Sequence, residues 1–266
     1  MLCSNDEFTP IYHQRRVGRS RAYSTWFFTR HGGVSEGIFT SLNCGLSSGD
    51  NLQDVNTNRQ RVREALGFNS LFTLKQVHSR HVVVIDENSD SHEVVEADGL
   101  VTRMRGVGLG ALGADCAPVL FADGVARIVG SAHAGWQGAL KGVTDCVIDR
   151  MCGMGANRKR IICSIGPSIQ WSSYEVGAEF KERLISDSPI PVESFFRNDE
   201  NDGSIYFNLP GYIRQRVISA GVEQVDVIDM DTYVDHNGFF SYRRSCHQRE
   251  QGYGRQISVI GLDAAV

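Results

Sequence analysis

The sequence predicts an α+β fold, with mixed β-sheets flanked by helices, in a single domain that covers residues 1–266. Most β-leaning runs follow one another in the first half of the chain, and most helical segments follow later, an order that favours α+β over a regular doubly wound sheet. The chain has no internal repeat and no long linker rich in Pro, Gly or Ser. Because 41% of its residues are hydrophobic, one large core is expected.

The first elements are predicted to be mainly strands. A β-leaning run over 22–29 leads into a loop that contains glycines, and 54–66 is predicted to be a helix that Gly67 ends. Asn51 or a neighbour supplies the N-cap of that helix. Further β-leaning runs follow at 71–77, 81–86, 98–102 and 107–112.

A β-hairpin is predicted next, from two apolar runs at 117–122 and 125–132. The dipeptide Asp123-Gly124 separates them, and Asp-Gly between apolar runs is a strong hairpin signal. If the two runs pair antiparallel, Cys116 before the first and His133 after the second lie at the same end. The sequence therefore predicts a pocket in which this cysteine and this histidine meet.

The second half is predicted to contain most of the helices. Residues 136–152 carry apolar side chains along one side at helical spacing, which predicts an amphipathic helix that begins beside His133. Further helices are predicted at 175–186 and 209–220, with a polar surface loop over 187–204 between them. Strands are predicted at 160–165, 224–229, 238–243 and 256–262.

Composition excludes several classes of partner. A net charge of −4 and scattered Lys and Arg do not fit a nucleic-acid-binding protein. No apolar run approaches the roughly 18 residues of a membrane span, and no leader pattern opens the chain, so we expect a cytoplasmic protein. Seven cysteines without framework spacing argue against a disulfide scaffold. Cys146 and Cys163 are predicted to be small core residues.

His78 stands at the end of a β-leaning run and is a third candidate beside Cys116 and His133. Two imidazoles and a thiolate suit zinc, which leaves a fourth position to water in catalytic sites. The spacing alone leaves other interpretations open. Each of the three residues is compatible with a purely structural role, and Cys116 is also compatible with a nucleophile that His133 activates as a base.

A second set of candidates is cationic or polar. Guanidinium groups bind phosphate through paired hydrogen bonds, although neighbouring arginines are more often solvated or salt-bridged. Asp and Asn side chains orient ligands or ribose hydroxyls, and they also form turns. The candidates are Arg30, Arg243, Arg244, Arg255, Asn43, Asp98 and Asp115.

Several motifs together resemble one family, the YfiH-like proteins, which are variously called laccase-domain or polyphenol-oxidase-like proteins and purine nucleoside phosphorylases. The resemblance spans almost the whole chain, in the order of the family. The matching segments are Thr29-Arg30-His31-Gly32-Gly33-Val34-Ser35, Ser41-Leu42-Asn43, Gln76-Val77-His78, Ala97-Asp98-Gly99, Ala114-Asp115-Cys116-Ala117-Pro118, His133-Ala134-Gly135-Trp136, Ile165-Gly166-Pro167-Ser168-Ile169, Phe240-Ser241-Tyr242-Arg243-Arg244 and Gly254-Arg255.

The resemblance implies β-sheets flanked by helices and a zinc site whose ligands are His78, Cys116 and His133. It implies phosphorolysis of adenosine, inosine and methylthioadenosine, together with deamination of adenosine. A related branch is associated with peptidoglycan editing, and the older naming implies copper-dependent phenol oxidation. The chain departs from the family at Gln137, where an arginine is usual, and also at Ala117 and at Asp231-Thr232.

Four hypotheses follow. The first is a zinc-dependent purine nucleoside enzyme that takes a nucleoside and phosphate, with Arg30 and Arg243 holding the phosphate and Asn43 and Asp98 orienting the substrate. The second is a cysteine hydrolase that acts on an amide or ester, such as a peptidoglycan precursor. The third, a copper oxidase, fits less well because multicopper sites need more histidines than the eight available can arrange. The fourth is a metal-carrying module without turnover.

Overall fold

Fourteen strands and six α-helices are present in the computed structural model, which describes residues 10–12 and 23–263. The strands are β1 (Pro10–Tyr12), β2 (Tyr23–Phe28), β3 (Ser70–Phe72), β4 (Val82–Ile85), β5 (Gly99–Thr102), β6 (Val107–Gly113), β7 (Ala117–Asp123), β8 (Ile128–Ala134), β9 (Ile162–Ile165), β10 (Glu175–Val176), β11 (Phe196–Asn198), β12 (Ile205–Phe207), β13 (Gln224–Val227) and β14 (Gln256–Leu262). The helices are α1 (Leu52–Ala65), α2 (Trp136–Lys141), α3 (Val143–Gly153), α4 (Ala178–Asp187), α5 (Leu209–Ser219) and α6 (Tyr242–Gln248).

The strands form three sheets. The first has the spatial order β1-β2-β14-β6-β3, the second β13-β9-β7-β8-β5-β4, and the small third sheet β10-β12-β11. The two large sheets are mixed, because β3 pairs parallel with β6, and β4 and β13 pair parallel with β5 and β9, while their other pairs are antiparallel. The predicted class, α+β with mixed sheets and flanking helices, is confirmed.

The core lies on both faces of the six-stranded sheet. On β7, Phe121 packs in a cluster with Val147 of α3, whereas the next side chain along, Leu120, joins Phe27 and Ile260 of the five-stranded sheet. Successive side chains of a strand point to opposite faces, so β7 is buried on both. This explains why it reads as a continuous apolar run. None of the helices in the described part of the chain is long and apolar enough to cross a membrane.

The predicted hairpin is present as β7 and β8, in antiparallel register with Pro118 opposite His133. Its loop is longer than predicted, because Asp123 pairs with Ile128 and leaves 124–127 as the connection. The Asp123 carboxylate accepts the backbone N–H groups of Val125 and Ala126, both at 3.0 Å, and so closes the turn. Residues 125–127 are therefore loop and not strand.

The predicted helix over 136–152 is two helices. It breaks at Gly142, which adopts a left-handed conformation with φ of 88°. Arg216 of α5 donates from Nη1 to the carbonyl oxygens of Ala139 and Leu140, each at 3.0 Å. The guanidinium of a residue distant in sequence therefore satisfies the free carbonyl groups at the C-terminus of α2. The local sequence periodicity does not reveal this interaction.

The predicted strand over 238–243 is wrong, because α6 begins at Tyr242. The Ser241 hydroxyl accepts the backbone N–H of Arg244 at 3.1 Å, and the Asp115 carboxylate accepts that of Arg243 at 2.7 Å. These two acceptors satisfy N–H groups of the first turn and favour a helix there.

Several other boundaries differ from prediction, and the strand predicted over 71–77 ends at Phe72 as β3. The helix predicted over 175–186 begins only at Ala178, because Glu175–Val176 pairs with β12 as a strand. The polar segment 187–204, predicted to be loop, contains the short strand β11. The other helices agree with prediction to within about two residues, and Asn51 is the N-cap of α1, as predicted.

Candidate functional site

The side chains of His78, Cys116 and His133 converge. Their potential ligand atoms all lie within 4.8 Å of one another. Cys116 Sγ is 3.7 Å from His78 Nε2, and the two imidazole centroids are 4.8 Å apart in an edge-to-face arrangement. The β7–β8 hairpin supplies Cys116 and His133, and the segment between β3 and β4 supplies His78. We call these three residues the His-Cys-His cluster.

The backbone adopts unusual conformations at or next to two residues of the cluster. His78 has φ of 56°, and Asp115, next to Cys116, has φ of 88°, a region that residues other than glycine rarely adopt. The backbone also passes close to the cluster at Gly135. A Cβ built there would lie 2.7 Å from Cys116 Sγ and 2.8 Å from His78 Cδ2, so a larger residue does not fit. Local strain of this kind is typical of functional sites.

Asp98 connects two parts of the cluster. Its buried carboxylate accepts the backbone N–H of His78 at 3.0 Å and that of Ser79 at 2.6 Å, together with the Ser79 hydroxyl at 2.8 Å. Its Oδ1 also lies 2.9 Å from His133 Nδ1. Because the carboxylate accepts from Nδ1–H, the other ring nitrogen of His133, Nε2, is left for the cluster, an arrangement common behind metal-binding histidines.

The electrostatics of the cluster follow from these contacts. Burial opposes ionisation of Asp98, but hydrogen bonds from His133 and Ser79 outweigh it and lower the pKa to about 2. Burial also opposes the charged form of His133, but the charge of Cys116 and the hydrogen bond to Asp98 raise its pKa to about 9. Burial would raise the pKa of Cys116, yet the charge of His133 and hydrogen bonds from both histidines lower it to about 6.

The imidazolium of His133 therefore lies between two negative charges, the carboxylate of Asp98 and the thiolate of Cys116, and the three ionised forms stabilise one another. A thiolate is both the metal-binding form and the nucleophilic form of cysteine. The cluster can consequently present an activated sulfur, and it can hold a metal ion when the ion displaces the Nε2 proton of His133.

A cavity of about 410 Å³ opens beside the cluster and is lined by both His78 and Cys116. Its volume lies in the lower part of the range of small-molecule sites. Trp136 and Phe180 form part of its wall with ring centroids 4.8 Å apart, and Tyr174 lies 6.0 Å from Phe180. This aromatic wall suits a flat, largely apolar ligand group.

Arg243 is the basic residue of this cavity. Its guanidinium lies 5.5 Å above the ring of Tyr174, and its Nη1 donates to the carbonyl oxygen of Glu175 at 2.9 Å. Asp115 fixes its backbone, as described for α6, and also accepts the hydroxyl of Thr232 at 2.8 Å. Burial raises the pKa of the Asp115 carboxyl, although these hydrogen bonds oppose the shift.

The remaining residues predicted to bind substrate lie elsewhere. Arg30 donates from Nε to the carbonyl oxygen of Thr40 at 2.6 Å, stacks 4.4 Å from the ring of Phe240, and lines a separate cavity. Asn43 is buried and donates to Asp50 at 2.9 Å. Of the four predicted residues, Arg243 lines the cavity and Asp98 holds His133. Arg30 and Asn43 make structural contacts outside this cavity, including contacts with Phe240 and Arg255.

The other predicted candidates are also accounted for. Arg244 donates to the carbonyl oxygens of Thr232 and Tyr233 at 2.8 and 2.9 Å, and Arg255 stacks on Tyr253. Sequence reasoning did not identify Tyr174 and Phe180 of the cavity wall. They belong to separate segments with no motif of their own, so the tertiary fold is the signal that reveals them.

Comparisons with known proteins find relatives that cover most of the chain. The model of the multi-copper polyphenol oxidoreductase laccase family matches residues 24–263. A purine nucleoside phosphorylase of Corynebacterium glutamicum is 34% identical, with 92% of this chain and 96% of the relative covered. The purine nucleoside phosphorylase YfiH of Escherichia coli is 33% identical, with 88% of this chain and 91% of the relative covered.

Solved structures have the same fold. The hypothetical protein YfiH of Bacillus licheniformis superposes with a TM-score of 0.83 at 30% identity, with 91% of this chain and 93% of that chain covered. YlmD of Geobacillus stearothermophilus superposes with a TM-score of 0.83 at 29% identity, with 96% of this chain and all of that chain covered (100%).

The lowered pKa of Cys116 predicts that alkylating reagents modify this thiol at a lower pH than an ordinary cysteine. In chelator-treated protein, the rate of modification of Cys116 by iodoacetamide should rise with pH through a midpoint near 6, because the thiolate is the reactive form. Mass spectrometry of digested samples across the pH range measures this rate. His133→Gln should shift the midpoint upward, and the buried Cys163, whose pKa burial raises, should stay unmodified. A Cys116 midpoint near the ordinary value of about 8.5 would contradict the ion-pair description.

Proposed function

The chain belongs to the multi-copper polyphenol oxidoreductase laccase family, and from that premise we propose that it is a zinc-dependent purine nucleoside phosphorylase with adenosine deaminase activity. The proposed substrates are adenosine, inosine and methylthioadenosine, together with phosphate. The observation that carries the proposal is the His-Cys-His cluster beside a cavity that has an aromatic wall and a single arginine, Arg243. The relatives named purine nucleoside phosphorylases support it.

The donor set fits zinc. Two imidazoles and one thiolate are common zinc ligands, and three protein ligands leave one position open for water or substrate. Tetrahedral zinc with ordinary bond lengths separates sulfur from nitrogen by about 3.6 Å. The 3.7 Å between Cys116 Sγ and His78 Nε2 agrees with that separation. When bound, zinc supplies Lewis acidity to a water molecule or a substrate oxygen.

Zinc is preferred over copper on the same donor set. A blue-copper site adds a weak axial ligand to two histidines and a cysteine, and multicopper oxidation needs further copper sites. Among the residues that the structure describes, one group of three has the required donors. We therefore favour a nucleoside activity over phenol oxidation.

Different residues of the cavity bind the purine and the phosphate during phosphorolysis. The aromatic wall of Trp136, Tyr174 and Phe180 stacks on the purine, and Arg243 binds phosphate through its guanidinium. An oxygen of the phosphate forms a bond to the ribose C1′ while the bond from C1′ to N9 breaks. The electron pair leaves with the purine, whose ring takes up a proton. Cys116 remains a thiolate throughout.

Deamination uses the same cavity. The oxygen of a water molecule adds to C6 of the stacked adenine, and ammonia leaves with the electron pair of the broken bond between C6 and nitrogen. The hydrogen bond from His133 to Asp98 keeps the imidazole fixed while the substrate changes. One cavity therefore accommodates both reactions, because each acts on a purine stacked on the same wall.

A second candidate function is favoured by the low pKa of Cys116. A thiolate beside an imidazolium is also the nucleophile of cysteine hydrolases, which cleave amides or esters. Metal dependence separates the two candidates. A nucleoside activity lost on chelation and restored by zinc supports the phosphorylase, whereas an amide or ester activity that survives chelation and is lost on alkylation of Cys116 supports the hydrolase.

Product analysis tests the proposed function directly. Purified protein of known metal content, incubated with adenosine and phosphate, should release adenine, ribose 1-phosphate and inosine, and His133→Ala should lose at least about a hundredfold in rate. Liquid chromatography measures the products. Cys116→Ala should also lose bound zinc. Absence of product above the His133→Ala background would overturn the proposal, and unchanged zinc in Cys116→Ala would overturn the ligand set.

The role of Arg243 predicts a selective change in kinetics. Arg243→Gln should raise the KM for phosphate by about tenfold or more, because charge-assisted hydrogen bonds to phosphate are lost, and change the KM for adenosine less. Steady-state phosphorolysis with each substrate varied measures both constants. Arg150→Gln, an exposed substitution on α3, is the matched control and should leave both constants unchanged. Equal phosphate KM values in wild type and Arg243→Gln would remove Arg243 from the phosphate site.

A further inference from the structure

A second, larger cavity, of about 760 Å³, lies between α1, β3 and the segment that precedes β5. It shares no lining residue with the cavity beside the His-Cys-His cluster. Its volume is within the range of sites that enclose a small molecule. Neither the proposed nucleoside reaction nor the metal cluster uses any of its residues.

Arg59 of α1 is the most unusual residue of this second cavity. It is half-buried, and burial lowers the pKa of its guanidinium. Its Nη1 donates to the carbonyl oxygen of Cys44 at 3.3 Å, and its Nη2 donates to the hydroxyl of Thr73 at 2.6 Å. Both partners are neutral. Within the described residues, no carboxylate lies within ion-pair distance of Arg59.

Partly buried arginines of the described residues differ in what compensates their charge. Arg216 pairs with Asp145 at 2.9 Å, whereas Arg30 and Arg244 donate to backbone carbonyl oxygens outside this cavity. Removing a cation from water is costly unless an anion compensates it. Arg59 is therefore a partly desolvated cation in a cavity, and no carboxylate in the described part of the chain compensates its charge.

The rest of the lining adds paired charges and apolar surface. Arg63 and Lys75 also line the cavity, but Arg63 pairs with Glu64 at 3.5 Å and Lys75 pairs with Glu96 at 2.7 Å. Leucine side chains, among them Leu46 and Leu112, form the apolar part of the wall. A ligand that matches this lining carries an anionic group at one end and an apolar body at the other.

We propose that this second cavity binds a small organic anion, with its phosphate or carboxylate group on Arg59 and its apolar body against the leucine side chains. The anion supplies the missing counterion of Arg59, and the apolar body removes leucine surface from water. Binding stabilises the folded protein, because the unfolded chain has no such cavity.

Phenyl phosphate is the probe, since it combines a phosphate group with an apolar ring. The experiment uses the full chain with Arg243→Gln, so that binding of phosphate beside the His-Cys-His cluster is weakened. Calorimetry measures the affinity, and NMR follows the backbone amide signals of Thr73 and Leu46. Saturable binding that shifts these two signals is expected. Inorganic phosphate should bind at least about tenfold more weakly because it lacks the ring, and benzoate, measured in parallel, distinguishes carboxylate from phosphate as the preferred anion.

Substitutions locate the ligand. Arg59→Met should weaken binding of phenyl phosphate by about tenfold or more, because the charged partner is lost. Since Arg59 also bonds two neighbours, a second variant leaves those contacts intact. Leu46→Asp, at a position 43% exposed, places a carboxylate on the cavity wall and should weaken binding about tenfold. Leu52→Asp, 58% exposed on α1 and outside the lining, is the matched control and should bind normally.

Three results would overturn the proposal. The first is the absence of saturable binding with unchanged signals at Thr73 and Leu46. The second is equal affinity in the parent, Arg59→Met and Leu46→Asp. The third is inorganic phosphate binding as tightly as phenyl phosphate, which would contradict the role of the leucine side chains.

Discussion

The hydrogen bonds that Asp98 accepts are the interaction on which the rest of the candidate site depends. The buried carboxylate joins the backbone at 78–79 to the imidazole of His133, so that elements distant in sequence hold one geometry. Burial of a carboxylate is costly, and here its donors offset that cost, because the pKa falls to about 2. The main chain of Asp98 adds to this, since its carbonyl oxygen accepts the N–H of His133 at 2.8 Å.

The charge of Cys116 and the hydrogen bond to Asp98 together set the charge of His133. His133 is held as the imidazolium, and the imidazolium in turn favours the thiolate of Cys116. A cysteine nucleophile uses this order of charges directly, whereas a metal ion needs the neutral imidazole of His133 and displaces the proton on Nε2 when it binds. Both uses keep the thiolate of Cys116, so the cluster does not by itself choose between them. The 3.7 Å between Cys116 Sγ and His78 Nε2 is compatible with a shared metal ion as well as with a hydrogen bond, and the aromatic cavity beside the cluster suits the proposed purine nucleoside substrate.

Much of this arrangement is readable from sequence, because it depends on local pattern. The dipeptide Asp123-Gly124 between apolar runs predicts the β7–β8 hairpin and hence the meeting of Cys116 and His133. Long-range hydrogen bonds decide what the pattern misses. Asp115 helps to turn the predicted strand over 238–243 into the start of α6, although more than a hundred residues separate them. Arg216 ends α2 in the same way, from a distant helix.

The affinity of zinc for Asp98→Asn, measured by competition with a chromophoric chelator, tests the central role of Asp98 most directly. Asparagine keeps the size of the side chain but presents one acceptor oxygen without charge, so the variant should bind zinc about 10- to 100-fold more weakly than wild type while still folding. The exposed substitution Asp86→Asn should bind zinc like wild type. Equal zinc affinity in wild type and Asp98→Asn would contradict the account, as would a wild-type protein that binds no zinc.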